Sequence, residues 1–186
     1  MTAAASVVKT LSRGPTTPPS FEETYEQYFD FVWRSLRRLG IPPASLDDAT
    51  QDVFLVVHRR LREFEGRSSL KTWLFGIAWN VAQKSIRSSK RPAPPSSVDE
   101  ATDVDTPQDH VAKREAVRLL HAVLDRLQFE QRAVFVMAEF EELTAPEIAE
   151  LTGVPVNTVY SRLRAAHRNF DVWLQRLRAT SRWRQQ

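Results

Sequence analysis

Residues 146–166 read Pro146-Glu-Ile-Ala-Glu-Leu-Thr-Gly-Val-Pro-Val-Asn-Thr-Val-Tyr-Ser-Arg-Leu-Arg-Ala-Ala166, which is the pattern of a helix-turn-helix. A short helix that ends at Thr152 is followed by Gly153, a residue that suits a tight turn. Pro155 then opens a second helix, at a position where its missing N–H is harmless. The stretch therefore predicts two helices joined by a sharp turn.

The second of these helices has two unlike faces. Apolar residues that recur at helical spacing are expected to face the interior: Val159, Leu163, Ala166 and Phe170. Polar and cationic residues lie near the opposite side, with an aromatic ring on its flank: Asn157, Ser161, Arg164 and Arg168, with Tyr160. A polar, cationic helix face entered through a glycine turn suits the major groove of DNA.

An ordinary helical hairpin with a solvated basic face would show the same pattern. Charge favours DNA binding, because residues 155–186 hold seven Arg and a single Asp. Arginine suits phosphate and guanine recognition through its planar fork of donors. We therefore expect the C-terminal part to bind DNA.

Composition narrows the class of protein. The 186 residues carry a net charge of only +3, so a nucleic-acid surface must come from segregated charge. There is no cysteine and the four histidines are scattered, so we expect neither a metal nor another cofactor. No apolar run approaches a membrane span and the N-terminus lacks a signal peptide, which favours a cytoplasmic protein without membrane contact of its own.

The chain divides into two parts at an acidic, proline-rich stretch. Residues 92–109 hold four prolines, five acids and no Lys or Arg, and cannot bury enough apolar surface to fold alone. We expect a disordered tail over 1–20, a first domain over 21–91, a linker over 92–111 and a second domain over 112–180. The expected fold is all-α: two small helical domains joined by a flexible linker, the C-terminal one containing the helix-turn-helix.

Seven helices are expected. The first closes at Gly40, and the second begins at Ser45, where Ser45 and Asp48 have the spacing of a capping box. The expected spans are about 21–39, 45–64, 68–91, 112–127, 129–140, 145–152 and 155–178.

The second helix pairs an apolar stripe with a charged outer face. Its stripe is Leu46, Val53, Phe54, Val57 and Leu61, and its outer face is Asp48, Gln51, Asp52, Leu55, Arg59 and Arg62. Along this outer face, acidic residues are followed by one apolar residue and then by basic residues. Such a face suits docking of a charged helix of a partner. A solvated helix with charges placed to suit its macrodipole is an equal alternative.

The third helix interleaves aromatic, amide and cationic residues. Opposite its buried stripe lie Thr72, Phe75, Trp79, Asn80, Gln83, Ile86, Arg87 and Lys90. Bases of single-stranded nucleic acid stack on such rings, and phosphates meet the cations. Alternatively, Phe75 and Trp79 pack against the aromatic residues of the first helix.

Taken together, these motifs resemble the bacterial sigma factors of the extracytoplasmic-function (ECF) type. In the first part, residues 47–54, 64–78 and Asn80 are similar to the regions that bind core RNA polymerase and melt the promoter. In the second part, the motifs that resemble the reader of the minus-thirty-five element are Leu127, Gln131-Arg132, residues 147–149, Gly153 and residues 158–163. Both sets in this order make the resemblance specific.

The resemblance implies roles for matching residues. The residues expected to bind the β′ clamp helices of the polymerase are Asp48, Gln51, Asp52, Phe54 and Leu55. The residues expected to bind minus-ten DNA are Phe64, Gly66, Arg67, Ser68, Ser69 and Asn80. Trp79, Gln83 and Arg87, from the aromatic and cationic face of the third helix, are expected to join them. Tyr160, Ser161 and Arg164 are expected to contact the bases of the minus-thirty-five element. Its phosphates are expected to be contacted by Thr158, Arg162 and Arg168, with Asn157 beside them.

The resulting prediction is a promoter-specificity subunit without a catalytic site. Its expected partners are core RNA polymerase, through the clamp helices and the β flap, and promoter DNA in double- and single-stranded form. An anti-sigma factor is a further candidate partner. The alternative is a helix-turn-helix regulator that binds an operator as a free dimer, which would leave the first part without a role. An enzyme acting on nucleic acid has no supporting cluster of carboxylates or histidines.

Overall fold

The computed structural model describes residues 19–88 and 107–183, and every regular element in these two ranges is helical, as predicted. The expected tail lies outside the described residues up to position 18, and so does most of the expected linker, through position 106. The seven α-helices are α1 Phe21–Leu39, α2 Leu46–Arg60, α3 Leu70–Ser88, α4 Pro107–Leu124, α5 Phe129–Glu139, α6 Ala145–Thr152 and α7 Val156–Trp183.

Helix α1 has well-formed ends, which explains why its span was predictable. Ser20 and Glu23 form a capping box: the Ser20 hydroxyl accepts from the Glu23 N–H at 3.1 Å, and the Glu23 carboxylate accepts from the Ser20 N–H at 2.9 Å. At the other end Gly40 adopts φ 109°, and its N–H donates to the carbonyl of Leu36. A residue with a positive φ at the end of a helix has the lowest conformational free-energy cost when it is glycine, because glycine has no Cβ.

The predicted capping box at Ser45 is wrong. Pro43–Ser45 forms a short 3-10 turn, and the Ser45 side chain makes no capping hydrogen bond. The reason is its backbone, which lies at φ −118° and ψ 4° instead of the extended conformation that a capping side chain needs. Helix α2 therefore starts at Leu46, and a second 3-10 turn at Leu61–Glu63 follows it.

Helices α4 and α7 also differ from their expected spans, and α4 ends at Leu124 instead of near Leu127. Helix α4 begins at Pro107 rather than near Ala112, inside the stretch expected to be linker. A proline is well tolerated in the first turn of a helix, because the N–H that it lacks would have no partner there. Helix α7 continues to Trp183, past the expected end near Arg178.

The two helical bundles pack against each other. Helices α1–α3 form the N-terminal bundle and α4–α7 the C-terminal bundle, and buried apolar residues of both bundles belong to one continuous cluster. Helix α1 contacts α5 directly. The structure thus places in contact two units that the sequence divides at the linker.

Candidate nucleic-acid interface

The outer face of α7 presents the residues that the sequence predicts. Val159 and Ala166 are fully buried, whereas the polar row on the other side is exposed: Asn157, Tyr160, Ser161, Arg164 and Arg168. Thr158 and Arg162 are half-buried at its edges. Within residues 19–88 and 107–183, neither Arg164 nor Arg168 forms an ion pair, so both guanidinium groups face solvent with their donors available.

The turn before α7 fixes the direction of this face. Gly153 ends α6 at φ 70°, and its N–H donates to the carbonyl of Ala149. At the start of α6 the Glu147 carboxylate accepts from the Thr144 hydroxyl at 2.6 Å and from its N–H at 2.7 Å. These hydrogen bonds, led by the one from the hydroxyl, lower the pKa of Glu147 below its ordinary value. A short helix held at both ends positions α7.

Contacts with α5 hold the middle of α7. The Asn169 amide donates to the Gln131 side-chain oxygen at 2.8 Å, and His167 Nε2 lies 3.3 Å from a Glu139 carboxylate oxygen. The Phe135 and Phe170 rings stack with centroids 4.8 Å apart. Sequence reasoning noticed Gln131 but not Asn169, because the two are far apart in the chain and share no motif.

The outer face of α2 is accessible, with one exception. Asp48, Gln51 and Asp52 are exposed, and Leu55 keeps 48% of its surface accessible. Phe54 is 3% exposed and packs among the rings of Phe21, Tyr25 and Phe29. Phe54 is therefore not accessible to a partner in this arrangement; it lies in the core, where the apolar stripe of α2 also placed it.

A cavity of about 720 Å³ lies between α2 and α3. Its walls join residues from two predicted sites, since Asp48, Asp52 and Leu55 of α2 face Asn80 and Lys84 of α3 across it. Asp48 and Asp52 from the first half of α2 line the cavity together with Arg59 and Arg60 from its second half and Lys84 of α3, so its walls carry both signs of charge. The predicted polymerase face and part of the predicted minus-ten face thus share one groove.

The loop before α3 is open to solvent. Gly66 lies at φ 68°, Arg67 pairs with Glu65 at 2.7 Å, and Arg67, Ser68 and Ser69 are all exposed. The Ser69 hydroxyl accepts from the Thr72 N–H at 3.0 Å and so caps α3.

The aromatic residues around this loop are less accessible than the loop itself. Phe64 is half-buried, with its ring centroid 5.4 Å from that of Trp73. Farther along α3, Asn80 and Arg87 are exposed and Gln83 is half-buried. These polar residues can meet a nucleic-acid strand without rearrangement.

Trp79 is not accessible in this arrangement, contrary to its assignment to minus-ten DNA. Its side chain is 5% exposed, and its ring stacks on Phe129 of the C-terminal bundle. Phe75 is fully buried. Helical periodicity placed both rings on an outer face, but it could not show that Phe129 of the C-terminal bundle covers Trp79.

A buried polar cluster joins the bundles. Arg132 of α5 donates to the carbonyls of Arg37 and Arg38 at the end of α1, and its Nη1 lies 2.8 Å from an oxygen of Asp125. Arg37 reaches the same carboxylate at 3.2 Å. Arg132 thereby supplies side-chain donors to carbonyls of the last turn of α1, where the helix itself provides few N–H partners.

The environment of the cluster shifts the pKa values of Arg132 and Asp125 for different reasons. Burial lowers the pKa of Arg132 to about 10, partly opposed by Asp125, so the guanidinium stays charged at neutral pH. Burial by itself would raise the pKa of Asp125, but the hydrogen bond from Arg37 and the charges of Arg132 and Arg37 lower it below its ordinary value.

The described part of the chain offers neither a metal site nor a membrane-spanning helix. Across residues 19–88 and 107–183, no group of three or more His, Cys, Asp or Glu side chains is arranged to hold a metal ion. In the same ranges, no helix is long and apolar enough to cross a membrane.

Comparison with known protein families finds two matches in the chain. Residues 24–92 match the family Sigma-70 region 2, and residues 118–169 match Sigma-70, region 4. The first covers α1–α3 with the loop at Gly66, and the second covers the helix-turn-helix.

Curated relatives span most of the chain. The ECF RNA polymerase sigma factor RpoE of Cereibacter sphaeroides is 31% identical over 154 residues, which cover 79% of this chain and 82% of that protein. The ECF RNA polymerase sigma-E factor of Escherichia coli K12 is 28% identical over 148 residues, covering 74% and 78%.

Solved structures share the fold. A sigma factor RpoE from Bartonella quintana, in complex with the anti-sigma factor NepR, superposes with a TM-score of 0.66 at 18% identity, covering 83% of this chain and 96% of that one. CnrH, in complex with the cytosolic domain of CnrY, superposes with a TM-score of 0.59 at 23% identity, covering 83% and 87%.

Proposed function

The chain belongs to the ECF sigma factors of RNA polymerase, and from this we propose how its residues divide the work of promoter recognition. As a sigma factor it binds core polymerase and promoter DNA and directs transcription initiation. One observation supports the division: the two family regions carry separate exposed polar faces, one on α2 and α3 and one on α7.

We assign core polymerase binding to the outer face of α2. Asp48, Gln51 and Asp52 form an exposed acidic and amide row, and Leu55 offers an apolar contact at its centre. An exposed leucine of this size between charged residues suits a helix of the β′ clamp that carries basic side chains. Phe54 contributes from beneath, by holding α2 against α1.

We assign the minus-ten element to the Gly66 loop and the outer row of α3. The loop offers exposed hydroxyl and guanidinium groups at Arg67, Ser68 and Ser69, with Phe64 and Gly66 shaping it. Asn80, Gln83 and Arg87 continue the polar surface along α3. Amide groups hydrogen-bond to the edges of unpaired bases, and the cations meet their phosphates.

We assign the minus-thirty-five element to the exposed face of α7. Tyr160, Ser161 and Arg164 are exposed, as is Asn157 at the start of the helix, and we assign the first three to base edges in the major groove. Thr158, Arg162 and Arg168 lie at the margins of the face and suit phosphates. The same bundle would contact the β flap through surfaces away from this face.

We further propose that the chain catalyses no reaction itself, acts in the cytoplasm and is controlled by an anti-sigma factor. One structural relative was solved in complex with an anti-sigma factor, NepR, and another in complex with the cytosolic domain of CnrY. The groove between α2 and α3 is a surface that a regulator could cover to block the polymerase. A free dimeric regulator is disfavoured, because it gives the region 2 match no role.

Reconstituted transcription tests the proposal. Purified core polymerase is combined with a genomic fragment library, with and without this protein, and transcript starts are sequenced. The expected result is a set of starts found only with the protein, each preceded by two motifs about one and a half to two helical turns apart. Absence of new starts, together with no complex with core in gel filtration, would contradict it.

A further inference from the structure

An aromatic patch is accessible at the start of α1, on the side that faces the end of α2. Tyr25 keeps 42% of its surface accessible, although its ring centroid lies 4.7 Å from that of Phe54. Phe21, one turn earlier, is half-buried, and the exposed His58 of α2 packs edge-on against it with ring centroids 5.0 Å apart. We call Phe21, Tyr25 and His58 the aromatic patch. Contiguous apolar surface that stays accessible marks an interaction site, whereas a single exposed apolar residue does not.

Acidic side chains lie along one side of this patch. At 100° a residue, Glu22 and Glu26 lie about 60° and about 100° around α1 from Tyr25. Both are exposed, and neither forms an ion pair within the part of the chain that the structure describes. The patch therefore offers open rings beside negative charge, a combination that suits a segment with both apolar and cationic side chains.

The chain itself contains such a segment, before α1. Residues 7–13 read Val7-Val-Lys-Thr-Leu-Ser-Arg13 and combine three apolar residues with two cations. Residues 1–20 contain no Asp or Glu, so no acid in this stretch offsets the positive charge. The segment thus carries the charge opposite to that of the carboxylates beside Tyr25, together with apolar side chains that fit the ring.

The segment is also close enough in the chain to reach the patch. An extended chain spans about 3.3–3.6 Å a residue, so the stretch from Arg13 to Phe21 reaches roughly 25 Å. Tyr25 lies only about 6 Å farther along the helix axis, and Gly14-Pro15 is a turn signal that favours a reversal of the chain between them. A tether this short gives an effective concentration in the millimolar range, so a contact with a dissociation constant of about 1 mM is already populated.

We propose that residues 7–13 dock on the aromatic patch of their own chain. Their apolar side chains cover the ring of Tyr25, and their two cations pair with the two carboxylates beside it, Glu22 and Glu26. The segment precedes both family matches, which begin at residues 24 and 118. The contact needs neither polymerase nor promoter DNA, so it stands or falls independently of the proposed function.

The distance between two spin labels on the free 186-residue chain tests this docking. Because the chain has no cysteine, Thr10→Cys and Arg34→Cys create the only two labelling sites. Arg34 is exposed on the opposite side of α1, about 14 Å along its axis from Tyr25. Pulsed electron–electron double resonance is expected to give one narrow distance population at roughly 20–30 Å, from that rise and the width of a helix. A segment that does not dock would give a broad distribution.

Charge reversal shows whether the contact is the one proposed. Lys9→Glu with Arg13→Glu should reduce the narrow population about three- to tenfold, because two attractions of the size of exposed ion pairs become repulsions. The converse change on α1, Glu22→Lys with Glu26→Lys, should have the same effect. Combining all four changes restores opposite signs and should recover the narrow population.

A matched control makes the same change of charge elsewhere. Glu130→Lys with Glu150→Lys reverses two exposed acids of the C-terminal bundle and should leave the distances unchanged. If this control also broadens the distribution, the contact is non-specific and the proposal fails. If circular dichroism shows that lysines in the first turns of α1 unfold that helix, the reversal in residues 7–13 decides by itself, since it leaves every described helix unaltered.

Two further outcomes would overturn the proposal. The first is a broad distribution in the otherwise unaltered chain, or in the fourfold combination. The second is a narrow population that grows with protein concentration, or a short distance between chains that each carry one label. That result would mean that the patch takes residues 7–13 of a second copy.

Discussion

The guanidinium of Arg37 at the end of α1 lies 3.2 Å from the carboxylate of Asp125, which follows α4 in the other bundle. Arg132 reaches the same carboxylate at 2.8 Å, so one anion stands between two largely buried cations. The cluster spans the contact between the bundles, and its energetics can be measured directly.

Asp125→Asn should destabilise the protein by about 1–3 kcal/mol. Removing the anion leaves Arg37 and Arg132 buried without their counter-charge, which costs about 3–5 kcal/mol in a fully buried pair and less where the carboxylate is partly exposed, as here. Urea unfolding followed by circular dichroism gives the free energy. Glu65→Gln is the control: it breaks the exposed pair with Arg67 and should change stability by less than about 1 kcal/mol. Equal effects of both variants would refute the role of the cluster.

Acid should weaken the wild type more than Asp125→Asn. The pKa of Asp125 is lowered in the folded state, so its contribution to stability is fully present above its ordinary pKa of 3.8. That contribution is lost as the pH falls below this value and through the lowered folded pKa. Unfolding free energies measured from pH 6 to pH 2.5 should therefore converge for the two proteins at the acid end. Parallel curves would show that Asp125 is not the titrating group.

Leu55→Ala should weaken polymerase binding with little loss of stability, whereas Phe54→Ala should mainly reduce stability, although the two residues are neighbours. Leu55 is half-exposed, so its truncation should reduce core polymerase binding roughly five- to thirtyfold, as for a hot-spot residue, with little change in melting temperature. Phe54 is buried among three rings, and its truncation should cost about 3–5 kcal/mol of stability. Fluorescence binding to labelled core and thermal melts measure the two effects. Unchanged polymerase affinity in Leu55→Ala would remove α2 as the docking face.

Arg164→Ala and Arg168→Ala should separate base reading from phosphate binding. Loss of Arg164 should cost roughly 1–3 kcal/mol on the preferred sequence and relax selectivity at one base position. Loss of Arg168 should weaken binding almost equally on all sequences and reduce the salt slope by about one. Binding is measured on matched and single-base-substituted duplexes at several salt concentrations. Identical behaviour of the two variants would disprove the division of roles.

Gly153→Ala should destabilise the C-terminal bundle by about 1–2 kcal/mol. Gly153 has φ 70°, where a Cβ meets its own backbone, while nothing else lies within 4 Å of the added atom. The cost is therefore conformational and not a clash. Gly153→Asn should recover part of it, because asparagine tolerates this region better. Thermal melts measure all three proteins; if Asn were worse than Ala, the conformational explanation would be wrong.

Local features were predictable wherever neighbouring residues alone determine them. Gly40 at the end of α1 and the glycine turn between α6 and α7 act over a few residues, so the helices at 21–39 and 145–152 were predicted at their observed bounds. The exposed row from Asn157 to Arg168 follows from helical periodicity in the same way. The Ser45 box failed because the prolines before it set a 3-10 turn that the spacing rule does not consider.

By itself the sequence determined the all-helical fold, the two bundles, the exposed polar side of α7 and, through its motifs, the family. These features depend on local conformational preferences and on the period of apolar residues, and the order of residues along the chain fixes both. Only the tertiary structure decided that the bundles pack together, that Arg132 of one closes the helix end of the other, and that Phe129 covers Trp79. The physical reason is that such contacts join residues dozens of positions apart, and their partners are set by the shape and burial of whole surfaces.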